Sequence, residues 1–255
     1  MRAKLGRALP RGRIELVGPR LLDELAEAQP SATFVEIGAH DGTRSDHLRP
    51  FILSGAWNGV MVEPVPHVFE RLRRNYGALE GIALENAAIS DQDGRLPFYH
   101  LAAVDDPQRE GLPSWYDAFG SLSRENVVAH RDLIPDIERR LVRTDVACMT
   151  FESLCRKHGL RELDVLVVDA EGYDWTILRG VDFEAHRPLL VVYEHLHLSL
   201  PERAQCRAHL EQQGYEAQEE GFDTWCLHHR AGKRLHRRWR RLRWRVPGMS
   251  VHDQA

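Results

Sequence analysis

The sequence has few cysteines and no long apolar run. Its four cysteines, Cys148, Cys155, Cys206 and Cys226, include no C-x-x-C pair, which excludes the common zinc-ribbon and dithiol redox motifs. We expect these thiols to be reduced and mostly buried. No stretch approaches 18 apolar residues, so a transmembrane helix is excluded. The first residues carry basic charge without an apolar segment behind it, which argues against a secretory signal and predicts a cytoplasmic protein.

The chain also has little net charge, -4 over 255 residues, but the charge is unevenly distributed. Residues 1–20 carry +5, residues 21–229 carry -17 and residues 230–255 carry +8. An acidic body repels a phosphate backbone, which argues against nucleic acid as a partner. The pattern predicts a basic N-terminal segment with a lead-in helix over residues 1–30, one domain over 31–229 and a basic tail.

From residue 33 onward, β-branched or aliphatic runs alternate with amphipathic segments, which is typical of a parallel sheet covered by helices. The predicted strands cover residues 33–38, 59–63, 82–89, 163–169 and 188–194, with an edge strand over 222–228. The predicted helices cover residues 44–54, 66–79, 150–158, 173–180 and 201–214. Residues 90–94 predict a hairpin-like corner, and residues 102–120 predict an irregular insert of the kind that forms lids and substrate loops.

The first predicted strand ends in Glu36 and is followed by Gly38 and Gly42 before a helix. Glycine allows a sharp turn and a close ligand approach, and the helix that follows offers free N–H groups. The spacing E-x-G-x-x-x-G is not the G-x-G-x-x-G of a dinucleotide site, and no Gly-Lys-Ser/Thr follows. A phosphate-binding loop is therefore the poorer interpretation of this turn.

Acidic and polar residues follow the next two strands. Glu63 ends the second strand about twenty residues beyond the glycine turn, where a carboxylate can accept both hydroxyls of a ribose. The alternative is a plain surface acid at the end of a strand. Ser90 and Asp91 follow the third strand and could border an adenine.

Further carboxylates and histidines end the fourth and fifth strands, at the sheet edge where open α/β folds bind ligands. Asp169 and Glu171 follow the fourth strand, and Glu194 and His195 end the fifth. His195 or Glu171 could take the proton from a hydroxyl acceptor. These residues could instead bind a divalent ion together with His197. Because no ligand spacing is diagnostic, we predict no metal.

Together these segments resemble the FkbM-type S-adenosylmethionine-dependent methyltransferases over roughly residues 31–196. The matching segments are EIGAHDG, VEP, NAAIS, MTFESLCRKHGLRELDVLVVDAEGYDWTILRG and LLVVYEH. The strongest parts are Asp169-x-Glu171-Gly172 and Leu178-x-Gly180. The resemblance implies a Rossmann-like class I methyltransferase fold of the α/β class, with a mostly parallel seven-stranded sheet and helices on both faces. It also implies S-adenosylmethionine as the cofactor.

On this resemblance the cofactor residues are the following: Glu36 at the turn or the amino group, Gly38 and Gly42 beside the methionine part, Glu63 at the ribose, Ser90 and Asp91 at the adenine, and Asp169 beside the methionine end. The predicted catalytic residues are His195, Glu171 and Asp169. The expected reaction is O-methylation of a hydroxyl on a small molecule, sugar or natural-product intermediate. The alternatives are an N- or carboxyl-methyltransferase, and a non-catalytic binding module recruited by its basic tail.

The basic tail has an apolar stripe. Leu235, Trp239, Leu242 and Val246 recur at helical spacing among arginines, as in helices that lie on anionic membrane surfaces. A peripheral membrane location is therefore one interpretation of residues 230–255. The alternatives are docking onto the acidic body of this subunit or of a second copy in a homo-oligomer, and a solvated end.

Overall fold

The structure of the protein is a computed structural model that describes residues 17–43 and 46–243. Its helices are α1 Val17–Ala28, α2 Arg49–Leu53, α3 Pro66–Tyr76, α4 Arg124–Val128, α5 Ile137–Arg140, α6 Phe151–His158, α7 Asp174–Leu178, α8 Phe183–His186, α9 Leu200–Gln212 and α10 Gly232–Arg243. Its strands are β1 Thr33–Ile37, β2 Asn58–Val62, β3 Ile82–Glu85, β4 Ala88–Ile89, β5 Gly94–Leu101, β6 Gly120–Ser121, β7 Leu141–Met149, β8 Val165–Val168, β9 Leu190–Glu194, β10 Tyr215–Glu220 and β11 Asp223–His228. Short 3₁₀ turns cover Tyr116–Ala118 and Ala129–Asp132.

The main sheet has seven strands in the order β10-β11-β9-β8-β1-β2-β3. Strands β9, β8, β1, β2 and β3 are parallel, and β11 pairs antiparallel with both β9 and β10. The chain builds outward from β1 to β3 and then returns to β8 on the other side of β1. The strand order reverses between β1 and β8, so a crevice is expected at their carboxyl ends. The predicted α/β class and mostly parallel seven-stranded sheet are confirmed.

Helices cover both faces of this sheet. Alternate residues of a strand point to opposite faces, and the two large core clusters divide the strand residues in that way. One cluster joins Val35 and Leu166 to α6 and α9. The other joins Phe34 and Val165 to α1 and α3. The central strands are thus buried on both sides, as their almost continuously apolar sequence predicts.

Some predicted elements were wrong. The edge strand is β10 and not β11, which lies between β10 and β9. The sequence of β10, YEAQEE, alternates and is rich in acid, so it has no apolar run. The predicted strand over residues 82–89 divides into β3 in the main sheet and β4 in a second sheet. The helix predicted over residues 44–54 is α2 from Arg49 onward, and residues 44 and 45 lie outside the described part.

The second sheet has the order β4-β7-β5-β6 and was not predicted. Its long strands β5 and β7 pair antiparallel over eight register positions. The hairpin-like corner predicted for residues 90–94 is wrong, because β4 and β5 do not pair with each other but each pair with β7. The insert, residues 102–120, connects β5 to β6 of this sheet.

The tail begins with α10, which packs on the body of the same chain. Leu235 and Trp239 are buried in the core cluster that contains α1, and the Trp239 indole N–H donates to Glu216 at 3.1 Å. Arg238 forms an ion pair with Glu24 of α1 at 2.9 Å. These two members of the predicted membrane stripe are therefore occupied by the protein itself. The side chain of Leu242, and Val246, lie outside the described part.

We expect Trp239→Ala to lower the free energy of unfolding by about 3–5 kcal/mol, because a fully buried indole leaves a large cavity. Urea unfolding followed by circular dichroism measures this. The matched control is Arg241→Ala, which removes an exposed side chain from the same helix. If Trp239→Ala unfolded at the wild-type urea concentration, the docking of α10 on α1 would be contradicted.

No helix in the described ranges is both long and apolar enough to cross a membrane. The four cysteines are free and buried, as predicted.

Candidate active site

A cleft of about 1190 Å³ opens at the carboxyl edge of the main sheet. It is lined by residues 36–40 after β1, residues 62–65 after β2 and residues 167–171 at the end of β8, together with parts of β9 and of the insert. The strand order therefore brings residues that are far apart in sequence to one site, as the switch-point rule predicts.

The cleft lining is strongly acidic. Nine carboxylates line it: Glu36, Asp46, Glu63, Asp117, Asp169, Glu171, Glu194, Glu220 and Asp223. Within the described ranges, no lysine or arginine lines it. Such a concentration of one charge favours ligands that carry positive charge.

The turn after β1 brings backbone and carboxylate close together. Gly38 has φ +82°, and a Cβ atom there would lie 1.7 Å from the carbonyl oxygen of Asp169, so only glycine fits. Glu36 is 6% exposed, and its Oε2 has no hydrogen-bond partner. Burial, and then the charges of Asp46 and Asp169, raise the pKa of Glu36 well above its usual range. An unpaired acceptor of this kind suits an ammonium group.

Gly42, which was predicted beside the methionine part of the cofactor, packs against Tyr76 of α3. It is not among the residues that line the cleft, and a Cβ atom there would lie 2.2 Å from the ring of Tyr76. Its φ of +70° and this contact explain the glycine by packing alone.

Glu63 is held in a fixed orientation beneath the cleft. Its Oε1 accepts from the backbone N–H of Val65 at 2.7 Å, and its Oε2 accepts from that of His40 at 3.0 Å. Burial raises its pKa to about 7 against the opposing effect of these bonds. Each oxygen keeps a second lone pair, so the carboxylate can accept two ligand hydroxyls.

Ser90 and Asp91 do not line the cleft, whereas residues 87–89 do. The Ser90 hydroxyl donates to the carbonyl of Gln92 at 2.7 Å. Asp91 is exposed and hydrogen-bonds Tyr173, which lines the cleft. At this edge the cleft is therefore lined by the apolar residues 87–89 and not by the two polar residues that follow them.

Three charged side chains, which we call the insert latch, join the insert to the glycine turn. The ring of His40 contacts Asp117 at 3.3 Å, and Arg71 of α3 donates to the same carboxylate at 2.5 Å. Burial alone lowers the pKa of His40, but hydrogen bonds to Asp117 and Asp41 outweigh it and raise the pKa to about 9. The latch holds Trp115 and Phe119 of the insert at the cleft.

We expect Asp117→Asn to weaken the insert latch and to speed amide hydrogen exchange of residues 114–120 about tenfold at pH 7. The matched control is Asp105→Asn, an exposed position in the same insert. Because the pKa of His40 is raised, its contribution is complete below pH 6.5 and is lost as the pH rises through 9. Equal exchange in Asp117→Asn and wild type would contradict the latch.

Two histidines and two carboxylates, His130, Glu171, Glu194 and His197, meet at the other end of the cleft. We call them the His-carboxylate cluster. The Nε2 atom of His197 lies 3.0 Å from Glu171 Oε2 and 3.9 Å from Glu194 Oε1. The rings of His130 and His197 have centroids 5.0 Å apart. All four residues line the cleft.

Asp169 lies between the glycine turn and this cluster. Its side chain is exposed to the cleft, and its backbone meets Gly38. The pKa of Asp169 is raised, first because the surrounding protein excludes water from the carboxylate and then because the negative charge of Glu171 is nearby. The structure thus brings together the predicted residues Glu36, Glu63 and Asp169 with Glu171.

His195 does not face the cleft. Its ring is buried, and Nδ1 contacts the hydroxyl of Thr224 at 2.9 Å. Because side chains alternate along a strand, Glu194 at the end of β9 points into the cleft and His195 points away from it. His197 lies beyond the end of β9, in a turn that brings its side chain to the cleft. Strand alternation does not predict this position, and His130 likewise lies in a 3₁₀ turn with no motif.

The methyltransferase FkbM domain profile matches residues 36–217 of the chain. The chain is similar to the 2-O-methyltransferase NoeI of Sinorhizobium fredii, with 28% identity over 157 residues, which is 60% of this chain and 58% of that protein. The chain thus spans less than two thirds of the length of that curated relative. Among solved structures it is similar to methyltransferase FkbM from Methylobacillus flagellatus, with 12% identity over 77% of this chain and 44% of that chain and a TM-score of 0.48. A SAM-dependent O-methyltransferase from Thermotoga maritima has 8% identity over 88% and 67%, with a TM-score of 0.43.

Proposed function

The chain belongs to the FkbM methyltransferase family, and we propose that it transfers a methyl group from S-adenosylmethionine to a hydroxyl oxygen of a sugar or a related small molecule. The observation that carries this proposal is that one cleft has a ribose-type carboxylate at one end and the His-carboxylate cluster at the other. The similarity to a protein named a 2-O-methyltransferase supports oxygen as the acceptor atom.

The residues at the cofactor end suit S-adenosylmethionine. Bound there, it supplies an electrophilic methyl group on a positively charged sulfur. The unpartnered Oε2 of Glu36 is placed to accept from the ammonium group, and Glu63 to accept from the ribose hydroxyls. Apolar residues 87–89 offer a surface for the adenine. The acidic lining is matched to a cofactor with net positive charge.

The acceptor end must hold one hydroxyl in line with the methyl group and remove its proton. His130, Glu171 and His197 are proposed to activate this hydroxyl, and Asp169 joins them to the cofactor end. The part in activating the acceptor that was predicted for His195 therefore moves to His197 in this proposal, while Glu171 and Asp169 keep their predicted place in the site.

Charge and shape favour a neutral hydroxylated acceptor. A carboxylate acceptor would find no lysine or arginine to pair with in the described part of this acidic lining, which disfavours carboxyl methylation. The rim carries exposed apolar side chains, Trp115, Leu196 and Phe222, which can cover the C–H face of a sugar ring. We therefore propose a glycan or glycoside as the acceptor class.

The experiment that tests this function measures S-adenosylhomocysteine by mass spectrometry after incubation of the protein with S-adenosylmethionine and a set of oligosaccharides. We expect product only with sugars that offer the acceptor hydroxyl and none with the matched 2-deoxy sugars. On an oligosaccharide without amino groups, a transferred methyl group that resists mild alkali is an ether and not an ester. Transfer to amines or formation of alkali-labile esters would replace O-methylation with the other chemistry, and binding without transfer to any acceptor would favour a non-catalytic module.

A further inference from the structure

We propose that His130, Glu171 and His197 bind one divalent transition-metal ion in the acceptor half of the cleft. One donor atom from each of these side chains lies within 4.8 Å of the other two. Two imidazoles and one carboxylate form a ligand set that suits Zn²⁺, Mn²⁺, Co²⁺ or Fe²⁺ better than Mg²⁺ or Ca²⁺, which prefer oxygen alone.

The hydrogen bond of His130 leaves its Nε2 atom free to bind an ion. Its Nδ1 contacts the carbonyl oxygen of Asn126 at 3.2 Å, and because a carbonyl only accepts, Nδ1 carries the proton. Nε2 is then the nitrogen with the lone pair. Metal-bound histidines commonly donate their other N–H to a carbonyl or carboxylate in this way.

Asn126 also positions the carboxylate ligand. Its side-chain amide donates to the backbone carbonyl of Glu171 at 2.8 Å, and the hydroxyl of Ser121 donates to the same oxygen at 2.9 Å. Glu171 has φ +48°, an unfavourable conformation for a residue with a side chain. The surrounding hydrogen bonds hold it there, with its carboxylate beside His197.

The cluster contains buried polar atoms that make no hydrogen bond. His197 Nε2 is buried and makes no hydrogen bond, although Glu171 Oε2 lies 3.0 Å away. Glu194 is 9% exposed, lines the cleft, and its Oε2 is buried without a partner. Such atoms are costly unless something binds them. Since no lysine or arginine of the described chain lines the cleft, an ion would supply the missing positive charge.

The catalytic role of the ion rests on the proposed function, whereas its binding does not. An acceptor hydroxyl coordinated to the ion would become more acidic and would release its proton to water in the cleft. The oxygen then forms a bond to the methyl carbon while the carbon–sulfur bond breaks and its electron pair moves onto sulfur, so charge and atoms balance.

The test is titration of chelator-treated full-length protein with Co²⁺, followed by visible absorption, and with Zn²⁺ by calorimetry, both without S-adenosylmethionine. We expect one ion per chain and Co²⁺ bands typical of nitrogen and oxygen ligands. His197→Asn and Glu171→Gln should weaken binding at least about 100-fold, and Asn126→Ala about 10–100-fold. His229→Ala, which removes an exposed histidine outside the cleft lining, should bind as wild type.

The two proposals fail in different ways. If no ion binds, or if His197→Asn and Glu171→Gln bind ions as wild type does while remaining folded by circular dichroism, the metal site is overturned. If the ion-free protein still transferred methyl groups, the catalytic role of the ion would be overturned and the proposed function would be retained. An ion that binds as predicted in a protein with no transfer activity would overturn the proposed function and leave the metal site in place.

Discussion

His197→Asn is expected to lower kcat for methyl transfer by about 10²–10⁴-fold while leaving the affinity for S-adenosylhomocysteine within about twofold of wild type. The reason is position: His197 lies at the acceptor end of the cleft, 3.0 Å from Glu171 and away from the carboxylates assigned to the cofactor. Glu171→Gln should behave in the same way, because it removes the charge beside the imidazole without changing the size of the side chain.

The matched control is His195→Asn, which changes the histidine two positions earlier on the same segment. Its ring is buried against Thr224 and does not line the cleft, so kcat per folded molecule should stay within about threefold of wild type. Single-turnover kinetics separate the chemical step from product release. Loss of activity in His195→Asn with normal activity in His197→Asn would show that the acceptor end has been assigned to the wrong side chain.

Glu63→Gln is expected to weaken binding of S-adenosylhomocysteine about 10–100-fold, because hydrogen bonds to a charged group contribute about 1.5–3 kcal/mol. The carboxylate is oriented by the backbone N–H groups of Val65 and His40, so the charge is already in place before the ligand arrives. Calorimetry of wild type and variant measures the difference. The matched control is Glu70→Gln on the exposed face of α3, which should bind as wild type.

The same carboxylate predicts a pH dependence. The pKa of Glu63 is raised to about 7 in the free protein, and the ligand hydroxyls require the ionised form. Below pH 7 the ligand must displace a proton, so the wild-type affinity should fall by up to tenfold per pH unit, whereas above pH 7 it should level off. In Glu63→Gln this dependence should disappear. A wild-type affinity that stays constant from pH 5.5 to 8 would contradict the ribose assignment.

The cofactor half of the site could be predicted from the sequence because it depends on strand ends. Glu36, Gly38, Glu63 and Asp169 each follow an apolar run, and parallel strands bring their carboxyl ends to one edge. Gly42 matched the same pattern and yet serves the packing of Tyr76. Spacing identifies where the chain turns, but it does not identify which atom each glycine makes room for.

The acceptor half could be predicted only in part: Glu171 follows β8, but His130 and His197 lie in turns without a motif. His130 reaches the cleft through α4 and the second sheet, whose strand β7 has no continuous apolar run. The prediction of His195 took the first histidine after β9, whereas Glu194 and His197 line the cleft and His195 is buried against Thr224. The prediction of a membrane stripe in α10 identified a real apolar face, but α1 covers Leu235 and Trp239.

A crystal structure of the protein with S-adenosylhomocysteine is the most direct test of the account. We predict that both ribose hydroxyls lie within hydrogen-bond distance of Glu63, that the ammonium group contacts Glu36, and that the sulfur points past Asp169 toward His197. Binding of the ligand elsewhere, or in this cleft with its sulfur directed away from the His-carboxylate cluster, would contradict the proposed arrangement of donor and acceptor.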